Sequence, residues 1–192
     1  MMTNHARLQR RPFLTPIWLS AFAVALILSL LGFLSFEAWV WATADSTTII
    51  VVRHAEKVTD DGGDPPLTPA GEARAALLAR MFGDARAPGH IDAIYVSPTL
   101  RNRMTAAPLA ARLGVTPIVA PARDAKGLAR RVLREHEGGR ILVVGYGDTV
   151  PEIVAALTGA KNLPQIADDE YGTMYVVSVP RIGRADFLRL TY

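Results

Sequence analysis

The succession of short strand-like and helical segments predicts an α/β fold: a three-layer sandwich around a mainly parallel central sheet, preceded by one transmembrane helix. Three observations carry that reading. Short β-branched runs alternate with helical stretches of about 10–15 residues, which is the pattern of βαβ units. The chain has 192 residues, is 50% hydrophobic and contains no cysteine. That allows one domain with a real core and excludes a disulfide scaffold, a cysteine-ligated metal centre and a disordered chain. Finally, the apolar excess is concentrated, because no charged residue lies between Arg11 and Glu37.

The concentrated run is Phe13–Phe36. As a helix it spans roughly 36 Å, enough to cross a hydrocarbon core of about 30 Å with some tilt. Arg7, Arg10 and Arg11 precede it, while Glu37 and Asp45 follow. Basic residues stay cytoplasmic, so residues 1–12 are expected inside and everything after about residue 40 outside. Trp18, Trp39 and Trp41 fall where interfacial aromatic belts sit. Residues 13–36 are therefore read as a single-pass signal anchor in the cytoplasmic (inner) membrane. Residues 37–46 are read as a linker, and 47–192 as a domain on the periplasmic or extracytoplasmic side. The alternative is a signal peptide cleaved near Ala44, at Ala42-Thr43-Ala44, with a secreted product; the apolar run is about twice the usual 7–15-residue length for such a peptide.

Three of the 21 Lys and Arg, and one of the 18 Asp and Glu, precede residue 45. The exported part is thus nearly neutral, and the formal charge of +3 mostly marks topology. No basic stripe interleaved with aromatics is present, which argues against nucleic-acid binding.

Strands are expected at Thr47–Val52, Ile91–Ser97, Thr116–Ala120 and Arg140–Val144. Each is followed by a helix: Thr68–Phe82, Leu100–Leu113, Ala125–Glu137 and Val150–Leu157. Thr68 with Pro69 reads as an N-cap and first-turn proline, and Gly83, Gly114, Gly138 and Gly159 as helix stops. Met174–Val179 and Asp186–Thr191 read as a closing hairpin or edge strands.

Ligands in such sheets collect beyond the carboxyl ends of the strands. That directs attention to Arg53-His54-Ala55-Glu56-Lys57, Ser97–Arg101 and Gly145–Pro151. Arg53 and Arg101 come from separate strand ends and suit bidentate contact with a phosphate. An imidazole at His54 with one free, unprotonated nitrogen can attack phosphorus. The same residues admit a plainer reading, an Arg53–Glu56 ion pair with a structural His54. Glu56 either orients Arg53 or serves as an acid. Asp148 is either a proton donor or a turn cap. His90 and His136 read as surface residues. Arg130, Arg131 and Arg134 read as one solvated helix face, with anionic lipid or a polyphosphorylated ligand as the alternative.

Val51–Lys57 carries an R-H-A-E sequence, Pro66–Ala75 an L-T-x-x-G helix start, and Ser97–Ala106 an S-P-x-x-R-x-x-x-T-A segment; Leu142–Pro151 falls where V-G-H-x-x-x-x-P belongs. In order and spacing, over about residues 47–179, these four segments resemble the histidine phosphatase (phosphoglycerate mutase-like) superfamily, in its small bacterial R-H-A-E type. The resemblance implies a phosphate pocket in which His54 forms a phosphohistidine that water hydrolyses, with Arg53 and Arg101 neutralising the phosphoryl oxygens. It implies no metal and no cofactor. The implied partner is a small phosphorylated substrate or a phosphoprotein.

One position departs from the family pattern: Tyr146 stands where a second histidine belongs. A neutral hydroxyl bond contributes about 0.5–1.5 kcal/mol against about 1.5–3 for a charged one. Loss of a preorganised donor costs about 10²–10³ in rate. The expectation is an anchored, exported phosphomonoester hydrolase with Arg53, His54, Arg101 and Tyr146 at its site and reduced turnover. The alternative is a catalytically weak phosphate-binding or regulatory module on the same fold. An isomerase moving phosphate within a sugar acid fits an exported location poorly. Val144–Asp148 also matches a potassium-channel filter by letters, but no pore helix or second membrane helix accompanies it.

Overall fold

A computed structural model describes residues 17–42, 46–59, 63–84, 89–121 and 123–192, in two units that divide between Thr43 and Ala44. The first unit contains one described element, α1 (Ile17–Ala42). It runs past Phe36 through most of the expected linker, because neither glycine nor proline interrupts Phe36–Ala42. Its segment Leu19–Trp39 is long and apolar enough to cross a membrane, a test that a signal sequence also passes. Arg7, Arg10, Arg11, residues 13–16 of the apolar run and Thr43–Ala44 of the cleavage motif lie outside the described residues, as do the side chains of Trp18 and Trp41.

The second unit begins with β1 (Thr47–Arg53), α2 (Pro69–Gly83), β2 (Ala93–Val96), α3 (Leu100–Leu113) and β3 (Ile118–Val119). It continues with α4 (Ala125–Glu135), β4 (Arg140–Gly145), α5 (Thr149–Thr158), β5 (Thr173–Val179) and β6 (Asp186–Thr191). The strands form one sheet in the order β3-β2-β4-β1-β5-β6. β1, β2, β3 and β4 are mutually parallel, while β5 and β6 run antiparallel to their neighbours. The expected closing hairpin is therefore the β5–β6 pair.

Alternation along each central strand feeds two cores. Ile49, Val51, Tyr95, Ile141 and Val143 face α4 and α5, where Leu128, Val132, Ile153 and Val154 are buried. Ile50, Val52, Ile94, Leu142 and Val144 face α2 and α3, against Leu78, Leu109 and Ala106. A strand covered on both faces has no polar side to alternate with, which explains the continuous apolar runs seen in the sequence. Each fully buried Leu or Ile contributes roughly 1.5–3 kcal/mol by leaving water.

Element ends moved where local geometry overrode the pattern. β3 keeps two paired residues of the five expected, as befits a short edge strand. α4 stops at Glu135, with His136 as its C-cap. Gly114 and Gly159 end α3 and α5 in the left-handed conformation. Gly83 instead stays inside α2, packed against the Arg112 side chain, and Asp84 is the C-cap.

Candidate active site

Arg53 is the last residue of β1 and pairs in register with Gly145 of β4, while Val96 of β2 pairs with Val144. The three strand ends thus stop level with one another, and the residues that follow them meet. His54 donates its backbone N–H to the Gly145 carbonyl (3.0 Å), which holds it at this edge. The next turn is fixed by α3: the Ala55 N–H bonds Thr105 Oγ1 (2.9 Å), and that hydroxyl donates to the Arg101 carbonyl (2.7 Å). The Thr105-Ala106 part of the sequence motif therefore ties the His54 turn to the helix that carries Arg101.

The second motif has an equally local cause. Thr68 caps α2 by accepting from the Gly71 N–H (3.1 Å), and its own N–H bonds the Glu56 carbonyl (2.9 Å). A Cβ at position 71 would lie 2.2 Å from that carbonyl oxygen, so only glycine permits this approach. The Glu56 side chain turns to Arg74, which grips it from both Nε (3.0 and 2.9 Å) and Nη2 (2.6 Å). The guanidinium holds the Glu56 carboxyl below its usual range. The Arg53–Glu56 pair of the plainer reading is thus not formed, and Glu56 does not orient Arg53. Arg74 captures Glu56 because α2, docked through Gly71, brings it alongside.

Arg53, His54, Lys57, Arg101, Arg123, Tyr146, Gly147, Asp148, Thr149, Gln165, Ile166 and Asp168 line one cleft of about 640 Å³. His54 is 3% exposed. Its Nδ1 is 2.8 Å from the Ala55 carbonyl oxygen, so Nδ1 carries the proton and Nε2 is the unprotonated nitrogen. Burial, reinforced by the charges of Arg53, Arg101 and Lys57, lowers its pKa to about 4 against the opposing pull of the Ala55 bond. The imidazole is neutral at physiological pH.

Arg53 is 4% exposed. Its Nη1 donates to the carbonyls of Ala167 and Glu170 (3.0 Å for the latter), Nη2 lies 3.7 Å from Asp168 Oδ1, and its plane rests 4.5 Å over the Tyr171 ring. Arg101 places Nη1 3.7 Å from Asp64 Oδ1 and packs 5.1 Å over the Tyr146 ring. In both arginines Nε is buried and makes no hydrogen bond. Two guanidinium groups and a neutral imidazole therefore line one cleft, an arrangement chemically suited to an anion.

Tyr146 stands edge-on to His54 at 6.0 Å between ring centres. Its hydroxyl donates to Thr99 Oγ1 (3.1 Å). The Thr99 hydroxyl in turn donates to the Asn102 amide oxygen (2.6 Å), and the Asn102 nitrogen donates to the Val144 (3.2 Å) and Gly145 (3.0 Å) carbonyls. The expected donor to a phosphoryl group thus spends its proton inside the protein. Asp148 occupies the N-cap position of α5 without a side-chain cap bond and is exposed at the cleft, so the capping role is not what its carboxylate performs.

Lys57, Arg123, Gln165, Ile166, Asp168 and Tyr171 had no assigned role in the sequence. Gly147 was legible only as part of a motif; a Cβ there would come 3.1 Å from the Ile166 carbonyl and 3.5 Å from the Arg53 guanidinium carbon. Other candidates lie elsewhere. His90 pairs with Asp92 at 2.8 Å. Arg131 and Arg134 pair with Glu135, and Arg130 is exposed. His136 is not simply a surface residue: its Nε2 is 3.0 Å from the hydroxyl of the buried Tyr95.

Residues 49–124 match the sequence model of the histidine phosphatase superfamily (branch 1). Among curated proteins none matches. Solved structures do. The protein histidine phosphatase SixA, complexed with tungstate, shares 21% identity and a TM-score of 0.62, over 75% of this chain and 96% of its own. A mycobacterial glucosyl-3-phosphoglycerate phosphatase shares 14% identity and a TM-score of 0.60, over 74% and 97%. A structure described as mycobacterial hydrolase 1 shares 16% and 0.57, over 74% and 96%. At these identities the structures establish the phosphoglycerate mutase-like fold, and the family match falls on the strands, helices and loops that carry Arg53, His54 and Arg101. Over residues 49–124 the chain is thus similar to the histidine phosphatase superfamily.

Proposed function

We propose that this protein is a phosphatase that hydrolyses phosphomonoesters through a phosphohistidine on His54. The single observation that carries the proposal is the pairing of a neutral His54, whose Nε2 is left free by the Nδ1 bond to Ala55, with two arginines, Arg53 and Arg101, that line the same cleft. In the first step Nε2 attacks phosphorus, the phosphorus–oxygen ester bond breaks, and the leaving oxygen takes a proton. Asp148 is the better acid by position, since it lines the cleft while Glu56 is held ionised by Arg74. In the second step water attacks phosphorus and gives its proton to the Asp148 carboxylate, which restores that acid; the phosphorus–nitrogen bond breaks, and the imidazole returns to its resting form. Arg53 and Arg101 balance the phosphoryl charge throughout.

Turnover is slow in this reading, because the Tyr146 hydroxyl is directed at Thr99 and supplies no charged donor to the transferring group. That same contact favours a second reading, a phosphate-binding or regulatory module that rarely turns over. The relatives act, by their descriptions, on a protein histidine phosphate and on glucosyl-3-phosphoglycerate. Substrates of either size suit a cleft many times larger than one phosphoryl group. We also place the domain outside the cytoplasm on a single membrane helix, supported by the arginines before the apolar run and the acidic residues after it.

The test is p-nitrophenyl phosphate hydrolysis by the full-length chain in detergent, with rapid-quench trapping of phosphohistidine. His54→Ala should abolish both signals, lowering kcat by at least about 10⁴. Tyr146→His should raise kcat by about 10–10². A wild type that is already fast, with no gain from the histidine, defeats the slow-turnover reading.

A further inference from the structure

Helix α3 delivers Arg101 from its second residue, so the start of that helix sets where the guanidinium sits. Thr99 occupies the N-cap position in extended conformation, yet makes no side-chain cap bond. Its hydroxyl is already engaged, accepting from Tyr146 and donating to Asn102. A helix start needs acceptors for its first backbone N–H groups. Here Asp64, from the loop between β1 and α2, supplies one from outside the helix: the Leu100 N–H is 2.8 Å from its Oδ1 and 2.9 Å from its Oδ2. The same Oδ1 lies 3.7 Å from Arg101 Nη1.

We propose that Asp64 is a positioning residue for Arg101, acting in two ways at once. It fixes the start of α3 as a cap in trans, and it holds the Nη1 end of the guanidinium so that the guanidinium stays at the cleft it lines, ready to meet a phosphoryl oxygen. The inference rests on the reading above that this cleft takes a phosphoryl group. A carboxylate is the suitable group for both tasks, because its charge favours the positive end of α3 as well as the arginine. By replacing Thr99 as cap, Asp64 also leaves the Thr99 hydroxyl to Tyr146, whose ring covers the other side of Arg101 at 5.1 Å. Arg101 is thus held at one end by Asp64 and on one face by Tyr146. Neither Asp64 nor Thr99 touches the substrate in this account.

The two tasks separate by substitution. Asp64→Asn keeps an oxygen acceptor for the Leu100 N–H and removes the carboxylate from Arg101; Asp64→Ala removes both. The experiment is calorimetric titration of the full-length chain in detergent with inorganic phosphate, alongside p-nitrophenyl phosphate kinetics and thermal unfolding. Phosphate affinity should fall about threefold in Asp64→Asn and about tenfold in Asp64→Ala, the scale of one misdirected charged hydrogen bond. KM should rise by similar factors while kcat falls less.

Coulomb's law alone predicts the opposite sign, because deleting a negative charge near the site strengthens anion binding. Tighter or unchanged phosphate binding in Asp64→Asn therefore overturns the proposal. So does a drop in unfolding temperature for Asp64→Ala with unaltered affinity, which marks a cap and nothing more. A wild type that takes up no phosphate removes the phosphate-site reading and this inference together. A wild type that binds phosphate, with variants that match it, removes this inference alone.

Discussion

The two sides of the cleft are built differently. On one side, Arg53 to Lys57, Ser97 to Arg101 and Tyr146 to Thr149 each follow the carboxyl end of a parallel strand. On the other, Gln165, Ile166, Asp168 and Tyr171 come from the segment before β5, which runs antiparallel to β1 with Met174 opposite Val52. Parallel strands gather their carboxyl ends at one edge, so residues just after them have a fixed address. Reversing one strand brings its leading segment to that edge instead. Arg53 belongs to both sides: its backbone ends β1, while its guanidinium is held by the Ala167 and Glu170 carbonyls and by Tyr171.

The comparison predicts unequal consequences for the two arginines of the cleft. A lysine at position 53 cannot reproduce the planar fork that meets two carbonyls with Nη1 while Nη2 reaches towards Asp168. Arg53→Lys should lower kcat/KM by roughly 10²–10³ and also reduce unfolding free energy by about 2 kcal/mol. Arg101→Lys should lower kcat/KM comparably while stability changes by under about 1 kcal/mol, because its carboxylate partner among the described residues is the half-exposed Asp64. Urea midpoints measured beside kinetics check this. Equal stability losses would erase the distinction between the two sides.

That asymmetry also sets what was legible in the sequence. The apolar runs of β1, β2 and β4 and the glycine stops of α3 and α5 gave the layers, and strand-end topology gave Arg53, His54 and Arg101. Residues 159–172 carry neither period nor motif, and their place depends on the direction of β5, which is a tertiary fact. The partner of Glu56 is hidden from the sequence for a related reason. Sequence neighbourhood suggests Arg53, whereas Arg74 arrives only when Gly71 lets α2 approach the Glu56 carbonyl. Tyr146 was visible as a departure, but the destination of its hydroxyl required the fold.

His54 sharpens the comparison through pH. Its pKa is about 4 in the folded protein against 6.5 for the free side chain. Between those values the unfolded chain binds a proton that the folded chain refuses. The associated stability is therefore complete above about pH 6.5 and lost as pH falls towards 4, to a total of about 3 kcal/mol. Denaturant unfolding at pH 7, 5.5 and 4.5 should show this loss in the wild type and not in His54→Gln. Tyr171, whose ring centre is 6.1 Å from that of His54, brings the antiparallel side into the burial. Tyr171→Ala should admit water and narrow the pH window; an unchanged window would assign the burial to the parallel side alone.

The hydroxyl of Tyr146 offers a smaller effect. If its proton serves Thr99, Tyr146→Phe should cost about 1 kcal/mol of stability and change kcat by less than about threefold. A loss of about 10²–10³ in kcat would instead mark a donor to the transition state.

The smallest effect belongs to Asp168, an exposed carboxylate 3.7 Å from Arg53 Nη2 at the mouth of the cleft. Pairs of this kind add little to stability, because solvent screens them and ordering two side chains costs entropy. Asp168→Asn should therefore leave the urea midpoint unchanged. The carboxylate does share Arg53 with any arriving anion, so its removal should lower KM for p-nitrophenyl phosphate by about two- to threefold, more at low salt than at high. Asp64 and Asp168 then make an instructive pair. Each stands 3.7 Å from one arginine of the cleft, but of the two Asp64 alone also caps the helix that carries its arginine. Neutralising the two should shift phosphate affinity in opposite directions, and a shift of the same sign in both would show that simple charge governs the mouth of the cleft.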